Sequence, residues 1–238
     1  MIGRWARMST LRAWFDHLAD LSLSILSPRA CAACDAPLSA RAVFCIPCAR
    51  SVERCSSSVA PFFYGGAVAE AIQKMKYKGR ADLAYPLGGL LRVALQSSHK
   101  LSDPIDVVVP VPLHPSRIHE RGYNQATLLA RHAAKAVQGR LIHALLRVRD
   151  TKKQALADRA ERLVNVEGAF LVRVNVAGLR VLLVDDVCTT GATLKSCRDS
   201  LLAAGARDVQ CFALAQTWGA PSPIGENRAI INQRDSCS

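Results

Sequence analysis

Residues 181–194, VLLVDDVCTTGATL, leave few folds open to this chain. Val181 to Val184 form an apolar run without alternation, the pattern of a parallel strand covered on both faces. The run predicts a strand over 180–184. Asp185 and Asp186 follow at its carboxyl end, where open α/β sheets place their ligands, and both carboxylates are expected to face the crevice there. Thr189-Thr190-Gly191-Ala192-Thr193 then opens a helical stretch. Backbone N–H groups, Thr hydroxyls and the positive end of the helix converge on one point, and such a nest binds a phosphate. Two carboxylates beside a phosphate nest match a ribose 5-phosphate, whose 2′- and 3′-hydroxyls can donate to the acids. A helix N-cap would explain one aspartate, but not the pair together with TTGAT.

The rest of the chain supplies a frame for that strand. Helices are predicted over 68–77, 83–95 (interrupted by Pro86), 124–137 and 192–204, and strands over 105–109, 169–174 and 208–215, with an apolar run at 141–148. Strands separated by helices of this size mean an α/β fold with a largely parallel sheet flanked by helices. Residues 59–218 are read as that domain, 1–58 as an N-terminal helix and cysteine module, and 219–238 as a disordered tail. Residues 5–26 have Trp5, Met8, Leu11, Phe15 and Leu18 at helical spacing, a face read as core packing ahead of membrane-surface contact. No stretch reaches the roughly 18 to 20 apolar residues of a membrane span, and no signal peptide is recognisable, so a cytoplasmic protein is expected.

Cys31, Cys34, Cys45 and Cys48 stand as two CxxC pairs. Each pair lets two thiolates reach one ion from a tight turn, and two such turns complete a tetrahedral shell of four thiolates, so a structural Zn2+ is expected. A redox role for one pair is the competing idea; one closed metal site explains both pairs more economically. Cys55 has no partner at that spacing and is read as a packing residue before an alternative ligand.

Thirty-one Lys and Arg against nineteen acids give a net charge of +12. Between His114 and Arg162, eleven basic residues face four acids. Such an excess suits a nucleic-acid surface or a highly phosphorylated small molecule, and charge alone does not choose between them. A solvated basic face is the plain alternative for the helix after Gly122.

VLLVDDVCTTGATL resembles the 5-phosphoribosyl 1-pyrophosphate (PRPP) motif of type I phosphoribosyltransferases. With the cysteine pairs, YGGAVAEAIQKMKYKG, VVPVPLHPSRIHERGYNQA and TKKQALADRAERLVNVEGAF, the chain is similar to the ComF family, zinc-containing phosphoribosyltransferase-fold proteins linked to bacterial competence. The resemblance implies that the turn Pro110-Val111-Pro112 contacts pyrophosphate and that Arg117 and Arg121 hold phosphate oxygens. Lys76 and Lys78 could approach from the side, or be a solvated helix end. Residues 149–162 look like the hood that closes over substrate in this fold. PRPP with Mg2+ is the implied ligand, Asp185, Asp186 and Arg121 the implied catalytic groups, and Thr189 to Thr193 with Val111, Arg117 and Lys76 the implied binding set. Three roles follow: pentosyl transfer, a glycosyltransferase reaction, to an unknown nitrogen acceptor; a sensor of PRPP or of 5′-phosphate ends of single-stranded DNA; or a DNA-binding adaptor of the uptake machinery, partnered by a competence helicase.

Overall fold

The computed structural model describes residues 30–38, 42–97, 104–148 and 169–220. Its strands are β1 (Phe62–Phe63), β2 (Val107–Pro110), β3 (Arg140–Leu141), β4 (Leu145–Arg147), β5 (Phe170–Val172), β6 (Arg180–Cys188) and β7 (Asp208–Gln216). Five of them form a parallel sheet in the order β1-β7-β6-β2-β3, while β4 and β5 pair antiparallel as a separate ribbon. The helices are α1 (Ile46–Ala49), α2 (Gly66–Tyr77), α3 (Ala84–Gln96), α4 (Pro115–Arg121), α5 (Gln125–Val137) and α6 (Ala192–Ala203), with a 3-10 turn at Ala81–Leu83 before α3. No helix of the described residues is long and apolar enough to cross a membrane.

The unbroken apolar run of β6 has a direct cause. Val181 and Leu183 pack in the layer under α6, whereas Leu182 and Val184 pack in the layer shared by α2, α3 and α5. All four are at most 1% exposed. Each such side chain contributes roughly 1.5–3 kcal/mol of burial, so neither face tolerates a polar residue until the strand reaches its carboxyl end. The layers also fix the direction of the connections. Chain leaving β2 runs through α4 and α5 to β3, while chain leaving β6 runs through α6 to β7 on the opposite side of the sheet. The strand order therefore reverses between β2 and β6, and that reversal opens a crevice at their carboxyl ends.

Several expectations change. β6 does not stop at Val184, because β7 outlasts β2 and pairs with it as far as Cys188 opposite Gln216. The apolar run at 141–148 is not one strand: β3 joins the main sheet and β4 joins the ribbon. Pro86 does not interrupt α3, since it lies in the first turn, where an amide has no helical partner to lose. Arg147, one of the eleven basic residues between His114 and Arg162, is buried, with its guanidinium 5.5 Å from the Phe170 ring centroid. The helix expected over 5–26, the hood over 149–162 and the tail beyond Ala220 lie outside the described residues.

The cysteine module leans on α2. Ala32 enters the α2–α5 layer, and Phe44 and Val52 pack against it. Ser51 Oγ accepts the Ala67 N–H at 3.0 Å near the start of α2. Gly66 has φ +47°, and a Cβ there would overlap the Ser51 carbonyl, so this junction requires glycine.

Candidate functional site

Strand alternation sets the geometry of the two acids. Asp186 turns toward α2, where its buried Oδ2 lies 2.7 Å from Lys76 Nζ and accepts no well-formed hydrogen bond among the described residues. Asp185 turns the other way and acts on Cys188 and on Cys197 of α6. The acids therefore reach the crevice from opposite faces of β6 instead of side by side. Each also accepts the next backbone N–H, Asp186 N to Asp185 Oδ1 at 2.8 Å and Val187 N to Asp186 Oδ1 at 2.9 Å, which fixes both carboxylates.

The electrostatics follow from this crowding. Burial and then the neighbouring Asp186 carboxylate push Asp185 up to about 8, against the pull of Lys76. Burial alone would lower the Lys76 ammonium, yet the Asp186 carboxylate holds it above its ordinary value. Two acids sharing one buried lysine form a site that gains from an added cation or from hydroxyl donors. Of the two lysines considered from sequence, only Lys76 points inward; Lys78 is exposed.

The loop after β6 is held at its base. Thr217 N donates to Cys188 O and Thr217 Oγ1 donates to Thr189 O, both at 3.0 Å. Gly191, with φ +72°, makes the left-handed turn into α6 that a side chain would strain. The helical ladder begins with Lys195 N donating to Gly191 O at 2.8 Å. The amides of Thr193 and Leu194 precede that bond, and a helix leaves such donors to a cap or a ligand. Thr190 Oγ1 reaches the Ala192 N–H at 3.4 Å. The segment thus gathers backbone donors at the start of a helix of twelve residues.

On the β2 side, Val111 N donates to Val184 O and Val111 O accepts from Asn124 Nδ2, both at 2.9 Å. Both backbone groups of Val111 are engaged, so it anchors the turn. Arg121 Nη1 donates to the buried Gln125 Oε1 at 2.6 Å, and its guanidinium lies 5.3 Å from the Tyr77 ring centroid. The Tyr123 hydroxyl donates to Met75 O. These contacts dock the α4–α5 junction on the last turn of α2, the helix that also carries Lys76. Arg117 pairs with Glu120 at 2.7 Å on the exposed side of α4. Asn124, Gln125 and Thr217 were not singled out from sequence as site residues. Asn124 has a readable signal, since it caps α5 by accepting the Ala126 N–H at 2.9 Å; the partners of Gln125 and Thr217 depend on the fold.

A second cluster stands apart. The Sγ atoms of Cys31, Cys34, Cys45 and Cys48 lie within 4.8 Å of one another, with Cys34 and Cys45 at 3.6 Å. A tetrahedral zinc shell with bonds of ~2.3 Å needs sulfurs ~3.8 Å apart, which these residues fit. Burial pushes the Cys31 thiol up, but the N–H groups of Cys34, Cys45 and Ala33 outweigh it and hold Cys31 down at about 6. Cys55 is outside the cluster.

Comparison with known proteins agrees with this architecture. Residues 126–234 match the phosphoribosyl transferase domain family. The chain is 30% identical over 193 residues to competence protein F of Haemophilus influenzae, covering 78% of this chain and 84% of that protein. It is 30% identical over 179 residues to the DNA utilization protein YhgH of Escherichia coli, covering 72% and 78%. It is 32% identical over 158 residues to competence protein ComFC of Bacillus subtilis, covering 66% and 62%. Among solved structures, the glutamine PRPP amidotransferase of Bacillus subtilis shares 23% identity at a TM-score of 0.41, over 58% of this chain and 30% of that one.

Proposed function

The chain belongs to the competence protein F family and carries a phosphoribosyl transferase domain, and from that premise we propose that its β6 edge binds PRPP with Mg2+ in support of DNA uptake and transformation. The observation that carries this reading is the Asp185–Asp186–Lys76 cluster one loop away from the phosphate nest at Thr189–Thr193. The 5-phosphate sits against the amides of Thr193 and Leu194 and the Thr190 hydroxyl. The ribose 2′- and 3′-hydroxyls donate to Asp185 and Asp186. The diphosphate extends toward Arg121 and Arg117 on the β2 side, with Lys76 between it and Asp186.

Asp185 and Asp186 would hold Mg2+ brought with PRPP, and the ion would supply neutralisation of the diphosphate charge. The crowded carboxylates, with only Lys76 to offset them, fit such a cation. Transfer would break the anomeric C–O bond through an oxocarbenium-like state, so the contribution of Arg121 and Lys76 is to stabilise the departing diphosphate. In the cysteine knuckle of residues 31–48, Cys31, Cys34, Cys45 and Cys48 would hold Zn2+, which would close the turns with no open position for chemistry.

Calorimetry of PRPP with Mg2+ tests the main reading. Wild-type protein should bind, and Asp185→Asn/Asp186→Asn should lose at least tenfold in affinity. Equal binding by both sinks it. The net charge of +12 favours one further role, capture of a 5′-phosphate end of single-stranded DNA at the same nest. A steep loss of oligonucleotide affinity with salt, larger for the 5′-phosphorylated form, supports that role; equal affinity with and without the phosphate removes it.

A further inference from the structure

Nothing in the site described so far would hold an acceptor or a base, but the same sheet edge carries an unused aromatic pair. Phe63, the last residue of β1, and Trp218, just beyond β7, stack with ring centroids 3.7 Å apart and planes 4° from parallel. Trp218 is 69% exposed. Phe63 supports one face of the indole, so the exposure belongs to the opposite face and the ring edges.

The pair stands on the side of the sheet that matters. Phe62 and Tyr64 pack in the layer of α2, α3 and α5, so alternation turns Phe63 to the face that carries α6 and the phosphate nest. Its register partner is Gln216, and the next residue, Thr217, makes the two hydrogen bonds that hold Cys188 and Thr189 at the base of that nest. The exposed indole therefore follows directly on the tether of the phosphate loop. In-line displacement adds a constraint. If diphosphate leaves toward the β2 side of β6, an incoming group approaches from the other side, which is the β7–β1 side.

We propose that the Phe63–Trp218 stack is a platform for the planar ring of a nucleobase whose 5′-phosphate or ribose phosphate occupies the Thr189–Thr193 nest. The proposal rests on the phosphoribosyl reading of the nest but concerns different residues. A base stacked on an aromatic side chain typically loses about tenfold or more in affinity when that side chain is truncated.

Trp218 is one of three tryptophans, with Trp5 and Trp14, so Trp5→Phe/Trp14→Phe leaves it as the sole indole reporter. In that background, ribose 5-phosphate, adenosine, adenosine 5′-monophosphate and 5′-phosphorylated oligothymidylate are titrated by fluorescence and calorimetry. Adenosine 5′-monophosphate should bind at least tenfold tighter than ribose 5-phosphate and quench the indole. Trp218→Ala should erase that advantage while leaving ribose 5-phosphate affinity unchanged, and Trp218→Phe should restore most of it. An oligonucleotide that outbinds the monophosphate identifies the base as part of a strand; the reverse identifies a free nucleotide. If ribose 5-phosphate fails to bind while adenosine still quenches Trp218, the phosphoribosyl reading falls and the platform stands. No gain from the base, or an equal loss of both ligands in Trp218→Ala, overturns the platform.

Discussion

The four thiols of the knuckle come from one short segment, residues 31–48, whereas the β6 edge gathers Lys76, Arg121 and residues 185–193 from three separate parts of the chain. In the knuckle, spacing alone brings the sulfurs together, because each CxxC turn sets its two thiols side by side. At the edge, no spacing brings Lys76 to Asp186; the packing of α2 on one face of the sheet does. Local sites can therefore be complete in sequence, while sites built on a sheet are only half written there. The two regions should also fail differently.

The largest expected difference is in metal dependence. Zinc binding of this kind is coupled to folding with apparent free energies of ~10 kcal/mol or more, so chelation or Cys34→Ser should unfold residues 30–52. β6 and β7 pair with each other and pack under α6 in a layer that no knuckle residue enters, so they should keep their structure. Hydrogen exchange reads both at once: protection should vanish in the knuckle and persist in β6. If both regions lose protection together, they form one cooperative unit and the contrast is gone. Retained protection in the knuckle after chelation would show that it folds without metal.

Next in size is the Lys76–Asp186 ion pair, buried where those of the knuckle are exposed. Removing Lys76 leaves Asp186 buried without its countercharge, a loss that typically costs about 3–5 kcal/mol. Lys76→Met should show this in urea denaturation, and Lys76→Met/Asp186→Asn should recover part of it. A cost below ~1 kcal/mol for Lys76→Met would mean that the pair does not hold α2 against β6.

These two effects mark the boundary of what was legible in the sequence. VLLVDDV announced a buried strand because both faces of β6 are covered, and TTGAT announced the turn into α6 because glycine suits φ +72°. The end of the strand was hidden, since it depends on β7 outlasting β2. The anchoring of Val111 was hidden too, since a neighbouring strand and Asn124 claim both its backbone groups. The burial of Arg147 was not legible either, since it depends on Phe170 of the paired strand. In each case the missing information was a partner from a distant segment.

A smaller effect separates the two acids of the edge. Asp185 titrates at about 8 in the folded chain and near 3.9 when unfolded. Between those values the native state holds a proton that the unfolded state has lost, so stability falls as pH rises from about 4 to about 8 and then levels. Asp185→Asn removes this loss. It should be more stable than wild type by ~1–3 kcal/mol at pH 9, with little gain near pH 4, in urea denaturation without ligand. A variant that is no more stable at pH 9 than at pH 4, relative to wild type, would show that the carboxyl is ionised at neutral pH. The same proton competes with ribose hydroxyls, so PRPP affinity in wild type should strengthen as pH approaches 8.

The smallest effect lies where the two regions meet. Asp35 follows the second knuckle cysteine, and its carboxylate takes Lys74 of α2 and, at 2.8 Å, Arg80 Nη1. Lys74 pulls the Asp35 carboxyl below its usual range, with Arg80 adding to it. Geometrically this is a strut from the metal turn to the helix that delivers Lys76. Energetically it should matter little, because Asp35 is exposed and ion pairs at the surface contribute about 0–1 kcal/mol and weaken with salt. Asp35→Ala should therefore cost less than ~1 kcal/mol, and PRPP affinity should change by less than about twofold. If affinity instead falls tenfold while the knuckle keeps its zinc, the strut transmits the state of the metal turn to Lys76, and knuckle and edge are parts of a single site.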